Sequence, residues 1–303
     1  MLDGCASQKA HTSARMDFQA PRDLPKTLAV YMPWFGQSSH MDVGYSSQDP
    51  VVLRKQIAAA RRMGISGFVV DWYGPRNTFI DESYATLQRV ARETGFQVAL
   101  MYDGPDADGG DGTDLVIGAL DKAYRDYISP DAPDSEAYLT FRGRPVIFIF
   151  PKSSGTDWGR VREHVRSWAA PPLLIYKDKP PAQFASAFDG FYAWIHPGDR
   201  GWTPDGSDWG KQYLEAFYNS MQSRFPDKIA VGAAWPGFDD SHARWGLNRH
   251  MDPRCGRTLE DSLQLHRQFY DDANPLPFML IETWNDYEEG TAIEHRDFTH
   301  CRG

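Results

Sequence analysis

The stretch VVLRKQIAAARRMGISGFVVDWYG, Val51–Gly74, decides the fold. Val51–Ile65 spaces its apolar side chains as one face of a helix does, and Gly64 marks the stop. Gly67–Gly74 is then a nearly unbroken apolar run rich in β-branched and aromatic residues, the pattern of a strand buried on both faces. The same alternation extends in both directions. Upstream, Thr27–Phe35 reads as a strand. Downstream, helical spacing at Asp81–Thr94, Asp114–Ile128, Asp157–Trp168, Pro180–Ala187, Asp208–Phe225 and Leu259–Ala273 alternates with strand-like runs. Those runs are Phe96–Gly104, Pro145–Pro151, Leu173–Asp178, Gly190–Pro197, Lys228–Pro236 and Pro277–Asn285. Eight strands separated by seven helices predict an α/β fold with a parallel sheet closed into a (β/α)8 TIM-type barrel, its last helix short or absent. A doubly wound open sheet competes, but no G-x-G-x-x-G follows the first strand. Residues 1–25 are polar and mixed, as a disordered or linker tail would be. Residues 26–303 are expected to form one barrel.

Composition narrows the class. A formal net charge of -9 argues against nucleic-acid binding, which leaves a basic footprint. No apolar run is long enough for a transmembrane helix. Aromatic residues make up 14% of the chain, with 10 Trp and 14 Tyr, and flat aromatic faces suit sugar stacking. Leu2-Asp3-Gly4-Cys5 looks like the end of a bacterial lipoprotein signal, although the basic and apolar stretches that should precede it are missing. A lipid anchor at Cys5 implies a periplasmic or surface lipoprotein; a meaningless tail leaves the protein cytoplasmic. Cys255 and Cys301 are a candidate disulfide in an exported protein. A monomer is expected, with no cofactor.

In such barrels the active site lies at the C-terminal ends of the strands. Reading those ends together gathers Tyr31, Trp34, Asp71, Trp72, Tyr102, Asp103, Trp194, His196, Trp235, Glu282, Asn285 and Asp286 on one rim. Trp34, Trp72, Trp194 and Trp235 are candidate stacking platforms, of which two are expected to serve. Asp71, Asp103 and His196 are candidate substrate contacts or, equally, satisfied structural groups. Glu282 is expected near the barrel mouth, where a buried acid needs a partner. Asp286 and Glu289 are three residues apart, so a turn or helical start puts both on one face. Adjacent carboxyls divide into one that keeps its proton and one that ionises, which is what glycoside cleavage requires. A plain acidic cluster at a helix N-terminus is the competing reading. Glu288 points elsewhere and is expected to be solvated.

The segment Asn285–Glu294 (NDYEEGTAIE) resembles the N-E-W-x-E-G-T-x-I-E motif of glycoside hydrolase family 99, and family 71 shares the general plan. Tyr31–Gly36 (YMPWFG) resembles that family's opening Y-Y-P-W-Y-G strand, and the region Val51–Gly74 its A-x-x-x-G-I-D-x-F-x-x-x-W-Y-G region. The resemblance implies a carbohydrate-active barrel cleaving α-linked mannan- or glucan-type chains. It implies Glu289 as the general acid/base and Asp286 as the carboxylate that assists attack, in family 99 by acting on the sugar 2-hydroxyl. Asn285 would bind substrate or orient Asp286. The chain departs from the motif at Asp286, where the family has Glu, and at Tyr287, where it has Trp. An Asp sets the carboxylate back by one methylene and leaves more room for a water.

The acidic loop Asp106–Asp114 misses the EF-hand template, having Gly at position five and no Glu at twelve, so no metal is expected. H-E-x-x-H, P-loop, G-x-S-x-G and C-x-x-C patterns are absent. The main alternative to a hydrolase is a sugar-binding or polysaccharide-synthesis accessory barrel without catalysis. A lyase or isomerase using the same acids is a third reading.

Overall fold

Strands form where the chain runs apolar. In the computed structural model, which describes residues 25–104, 112–152 and 155–295, they are β1 (Lys26–Tyr31), β2 (Gly67–Trp72), β3 (Gln97–Tyr102), β4 (Arg144–Ile149), β5 (Leu173–Lys177), β6 (Gly190–Tyr192), β7 (Ile229–Ala234) and β8 (Phe278–Ile281). All neighbours pair in parallel. β8 pairs back onto β1, with Lys26 opposite Phe278, and β3 pairs with β4, with Leu100 opposite Ile147, so the sheet closes into the expected eight-stranded barrel.

Helices begin where a side chain satisfies the free N–H groups of the first turn. Asp49 accepts from the Val51 N–H at the start of α1 (Pro50–Arg62), whose first position is proline. Asn77 caps α2 (Thr78–Thr94), which ends at Gly95 in the left-handed conformation. α3 (Thr113–Ala123) runs into a π turn at Tyr124–Ile128, and Asp157 caps α4 (Trp158–Arg166). α5 (Lys211–Arg224) precedes β7, and α6 (Arg257–Leu265) precedes β8.

Two helices are smaller than their spacing predicts. Pro180–Ala187 yields only a 3-10 turn at Ala182–Ala187: Pro181 disfavours the helical region for Pro180 and is itself extended (ψ 139°), so the turn starts only after both prolines. The helix expected to reach Ala273 ends in a 3-10 turn at His266–Gln268, and Asp271 caps the Ala273 and Asn274 amides in a separate turn. Among the described residues no helix follows β8. Short elements between the expected ones were not anticipated; Thr140–Phe141 pairs antiparallel with the start of β4. Between β7 and α6 an antiparallel hairpin pairs Phe238–Asp239 with His250–Met251.

No helix among the described residues is long and apolar enough to cross a membrane. Cys255 is disulfide-bonded; Cys301, Cys5 and the loop 105–111 lie outside the described residues, as does the tail before residue 25.

The outer layer of the barrel carries Trp72. Its ring is fully buried, and its indole N–H donates to Asp81 of α2 at 3.1 Å, beside Tyr127. Trp72→Ala removes that volume and the anchor together. It is expected to cost about 3–5 kcal/mol of stability, read as a lower denaturation midpoint at unchanged slope.

Candidate active site

A cavity of about 610 Å³ opens at the C-terminal ends of the strands. Which residues reach it follows from strand alternation, since successive side chains point to opposite faces. Met32 and Trp34, Asp71 and Tyr73, Met101 and Asp103 line it, whereas Tyr31 before the first pair and Trp72 and Tyr102 within the other two do not. Tyr31 instead donates from its hydroxyl to Gln56 of α1 at 3.0 Å. Trp235 is also fully buried, donating to the Trp209 carbonyl at 2.9 Å. Trp34 and Trp194 are therefore the two expected platforms that face the cavity, and Trp72 and Trp235 are core. His196 lines the wall as expected, with its ring against Tyr213.

After β8 the chain forms a turn that presents the two acids. The Asp286 N–H donates to Thr283 Oγ1 at 2.8 Å. Asp286 Oδ1 accepts the Glu289 N–H at 2.9 Å, and the Asp286 carbonyl accepts the Thr291 and Ala292 amides at 3.0 Å. This self-capped turn sets Asp286 and Glu289 side by side on the cavity wall. Gly290 makes it possible: its φ is +64°, and a Cβ there would lie 3.1 Å from the Asp239 nitrogen. The Glu289 carbonyl accepts that Asp239 N–H at 2.9 Å, which ties the hairpin to the turn.

The hairpin completes the site. Asp240 is buried and accepts from the Leu247 N–H and from both the backbone and the Nε of Arg249. The loop so folded delivers Trp245, whose indole N–H donates to Glu289 Oε1 at 2.7 Å, and Arg249, whose guanidinium lies over Trp202 and Phe238. Trp202, Phe238, Trp245 and Arg249 all line the cavity, and none was singled out from sequence.

Burial dominates the electrostatics. It pushes the Asp286 carboxyl well up, reinforced by the Glu289 charge and opposed by the Glu289 N–H. Burial also raises Glu289, while the Trp245 hydrogen bond and Arg249 pull it down. Two adjacent buried carboxyls of this kind titrate as a unit and retain one proton between them. Asp71 and Asp103 form a second pair. Burial and the Asp103 charge raise Asp71 well above the ordinary range. Burial brings Asp103 only to about 6, because Lys152 lies 3.0 Å from its Oδ2. The proton of that pair therefore resides on Asp71.

Trp245→Phe removes a donor that favours ionised Glu289. Glu289 is then expected to stay protonated to higher pH, so the alkaline limb of any activity that needs that proton moves upward; a pH–rate profile checks this, and an unmoved limb would deny Trp245 the role.

Beyond Tyr31, Trp72, Tyr102 and Trp235, three more expected roles differ in the structure. Asn285 does not face the cavity. Its Oδ1 accepts the Met32 N–H at 2.7 Å and its Nδ2 donates to the Met32 carbonyl at 3.0 Å, so the amide fastens the turn to the end of β1. Glu288 is buried rather than solvated, held by His40 Nδ1 at 2.8 Å and the Met41 N–H at 3.1 Å. His40 in turn stacks on Trp34 with centroids 4.8 Å apart. Glu282 is fully buried behind the cavity wall, with Oε2 accepting the Ile195 N–H, and does not reach the cavity. Glu294, at the end of the motif, accepts from Tyr45, Gln56 and Tyr287 and closes the turn onto α1. Among the described residues no group of three or more His, Cys, Asp or Glu is arranged to hold a metal ion.

No family model matches the chain, and no curated protein matches it. Solved structures do. The GH99 endo-α-mannosidase of Bacteroides thetaiotaomicron in complex with bis-tris-propane superposes with a TM-score of 0.69 at 19% identity, covering 89% of this chain and 86% of that one. A second structure of that enzyme gives 0.65 at 18%, over 89% and 87%. A glycoside hydrolase-like protein gives 0.63 at 14%, over 93% and 90%. The fold is thus that of the GH99-like barrels.

Proposed function

We propose that this barrel is a glycoside hydrolase acting on an α-linked mannan- or glucan-type glycan. The observation that carries the reading is the self-capped turn that sets Asp286 and Glu289 together on the wall of an aromatic-lined cavity. Glu289 is assigned the general acid: it lies at the partly exposed side of the pair, where a glycosidic oxygen can reach it. Asp286, almost fully buried, is assigned the carboxylate that assists attack at the anomeric carbon, by taking a proton from the sugar 2-hydroxyl or from a water. Deep burial favours the proton on Asp286 before substrate binds. Substrate binding then has to move it to Glu289, beside the leaving oxygen.

The cavity lies in the usual size range for ligand sites. It adjoins a second chamber of about 570 Å³ through the shared residues Tyr73, Asp103 and Lys152. That continuity suits a chain of sugars rather than a single ring. The disulfide at Cys255 favours an oxidising compartment, in keeping with an exported enzyme.

A non-catalytic glycan-binding barrel is the second reading. It is favoured by the short Asp286 side chain, one of whose oxygens is held by the backbone. Assaying α-mannans and α-1,3-glucans with the wild type, Glu289→Gln and Asp286→Asn separates the two. Binding without turnover in all three supports the second; turnover that survives both substitutions sinks the site assignment.

A further inference from the structure

We propose that the cavity contains a subsite for an anionic group on the glycan, centred on Lys177, with Lys152 and Arg249 lining the same cavity. The group is a carboxylate, sulfate or phosphate ester. This deepens the hydrolase reading above and rests on it for the glycan class.

Lys177 ends β5 with its ammonium 3.8 Å from the centroid of Phe150 and 5.9 Å from that of Trp194, and it lines the cavity. Among the described residues no carboxylate lies within ion-pair distance of it. The acids around it have other partners. Asp178 accepts from the Tyr213 hydroxyl, Glu282 from the Ile195 N–H, and Asp103 pairs with Lys152 at 3.0 Å. Arg249 uses its Nε on Asp240, which leaves its terminal N–H groups beyond that bond.

A cation withdrawn from water without a counterion is costly. Aromatic faces offset part of that cost, and an incoming anion would offset more, because charge–charge attraction strengthens in a low-dielectric cavity. Burial lowers the Lys177 pKa, and a bound anion would restore the charged form. Asp71 keeps its proton, and the Asp286–Glu289 pair, sharing one proton, leaves a single negative charge in the cavity, which Arg249 and Lys152 face. Lysine binds such anions as a point charge with three N–H donors, so the subsite distinguishes charge more strongly than shape.

The test measures binding by calorimetry to the Glu289→Gln protein, which retains the cavity. The probes are short α-linked manno- and gluco-oligosaccharides, each neutral, oxidised at C6 to the uronate, 6-sulfated or 6-phosphorylated. At least one anionic form is expected to bind about 10–100-fold more tightly than its neutral parent, with the preference shrinking as salt rises. Adding Lys177→Met, which keeps the buried stem, is expected to abolish the preference, and Lys177→Arg to retain most of it. Thermal unfolding of each variant identifies any that fails to fold, and the arginine variant then carries the comparison. Equal binding of neutral and anionic forms, binding of none, or a preference that survives Lys177→Met overturns the subsite. Turnover by the wild type is scored separately. Cleavage of neutral glycans without anionic preference removes the subsite and leaves the hydrolase reading; tight anion-dependent binding without cleavage does the reverse.

Discussion

Glu289→Gln is expected to lower turnover of an unactivated α-linked glycan by about 10²–10⁴-fold, the usual contribution of a positioned general acid, while substrate affinity changes little. Glutamine keeps the acceptor for the Trp245 indole, so the turn and the hairpin remain in place. What is lost is the proton. The deficit should therefore depend on the leaving group. An aryl glycoside with an acidic phenol departs without protonation, and on such a substrate the Glu289→Gln enzyme is expected to recover most of its rate. An equal loss on both substrates would move the acid role to Asp286, the other member of the pair. The pH profile follows from burial. Because burial raises both members of the pair, the one proton they share is held to higher pH than on an exposed carboxyl, and activity falls as pH rises and that proton is lost. The glutamine variant should lose this alkaline limb.

Strand positions were legible in the sequence for a simple reason. Strands of a parallel barrel are buried on both faces, so each appears as a short continuous apolar run. Runs such as Gly67–Gly74 and Pro145–Pro151 differ from their structural strands only at the ends. The acid turn was legible for another reason: its function depends on local spacing, and Asp286, Glu289 and Gly290 serve one another within a few residues.

What was lost came from side-chain direction and from distant contacts. Reading a strand end as a cluster mixes its two faces. Asp71 and Asp103 reach the cavity while their neighbours Trp72 and Tyr102 pack away from it, and strict alternation would have separated them. By the same rule Lys177, on the last position of β5, could have been marked as facing inward. Asn285 illustrates the second loss. A polar residue beside two acids invites a substrate role, but its partners are the Met32 backbone groups, 253 positions away in sequence. The hairpin that brings Trp245 and Arg249 to Glu289 is likewise fixed by a buried aspartate, Asp240, that binds the loop's own backbone. No periodicity announces such a loop.

Asp286→Asn is expected to abolish turnover on natural and activated substrates alike, by about 10²–10⁴-fold. The asparagine can still accept the Glu289 N–H, so the turn survives and the loss reports on the charge alone. That independence from the leaving group distinguishes Asp286, assisting attack, from Glu289, assisting departure. The more informative change is Asp286→Glu, which installs the residue of the family-99 motif. In this chain the carboxylate is set by one hydrogen bond to the Glu289 N–H and by almost complete burial. A side chain longer by one methylene must leave that bond and advance toward the sugar. Displacements near 1 Å cost about a hundredfold in rate when the cavity is built around the original position. A fall of that size is therefore expected if Asp286 is the working length here. A gain in rate on α-mannan would mean that the shorter residue limits cleavage here, and would favour the non-catalytic reading for the protein as it stands. The same pair of proteins also tests the room left for water. The product anomer released by the wild type, followed by NMR, is expected to be inverted if Asp286 activates a water, and retained if it acts through the 2-hydroxyl.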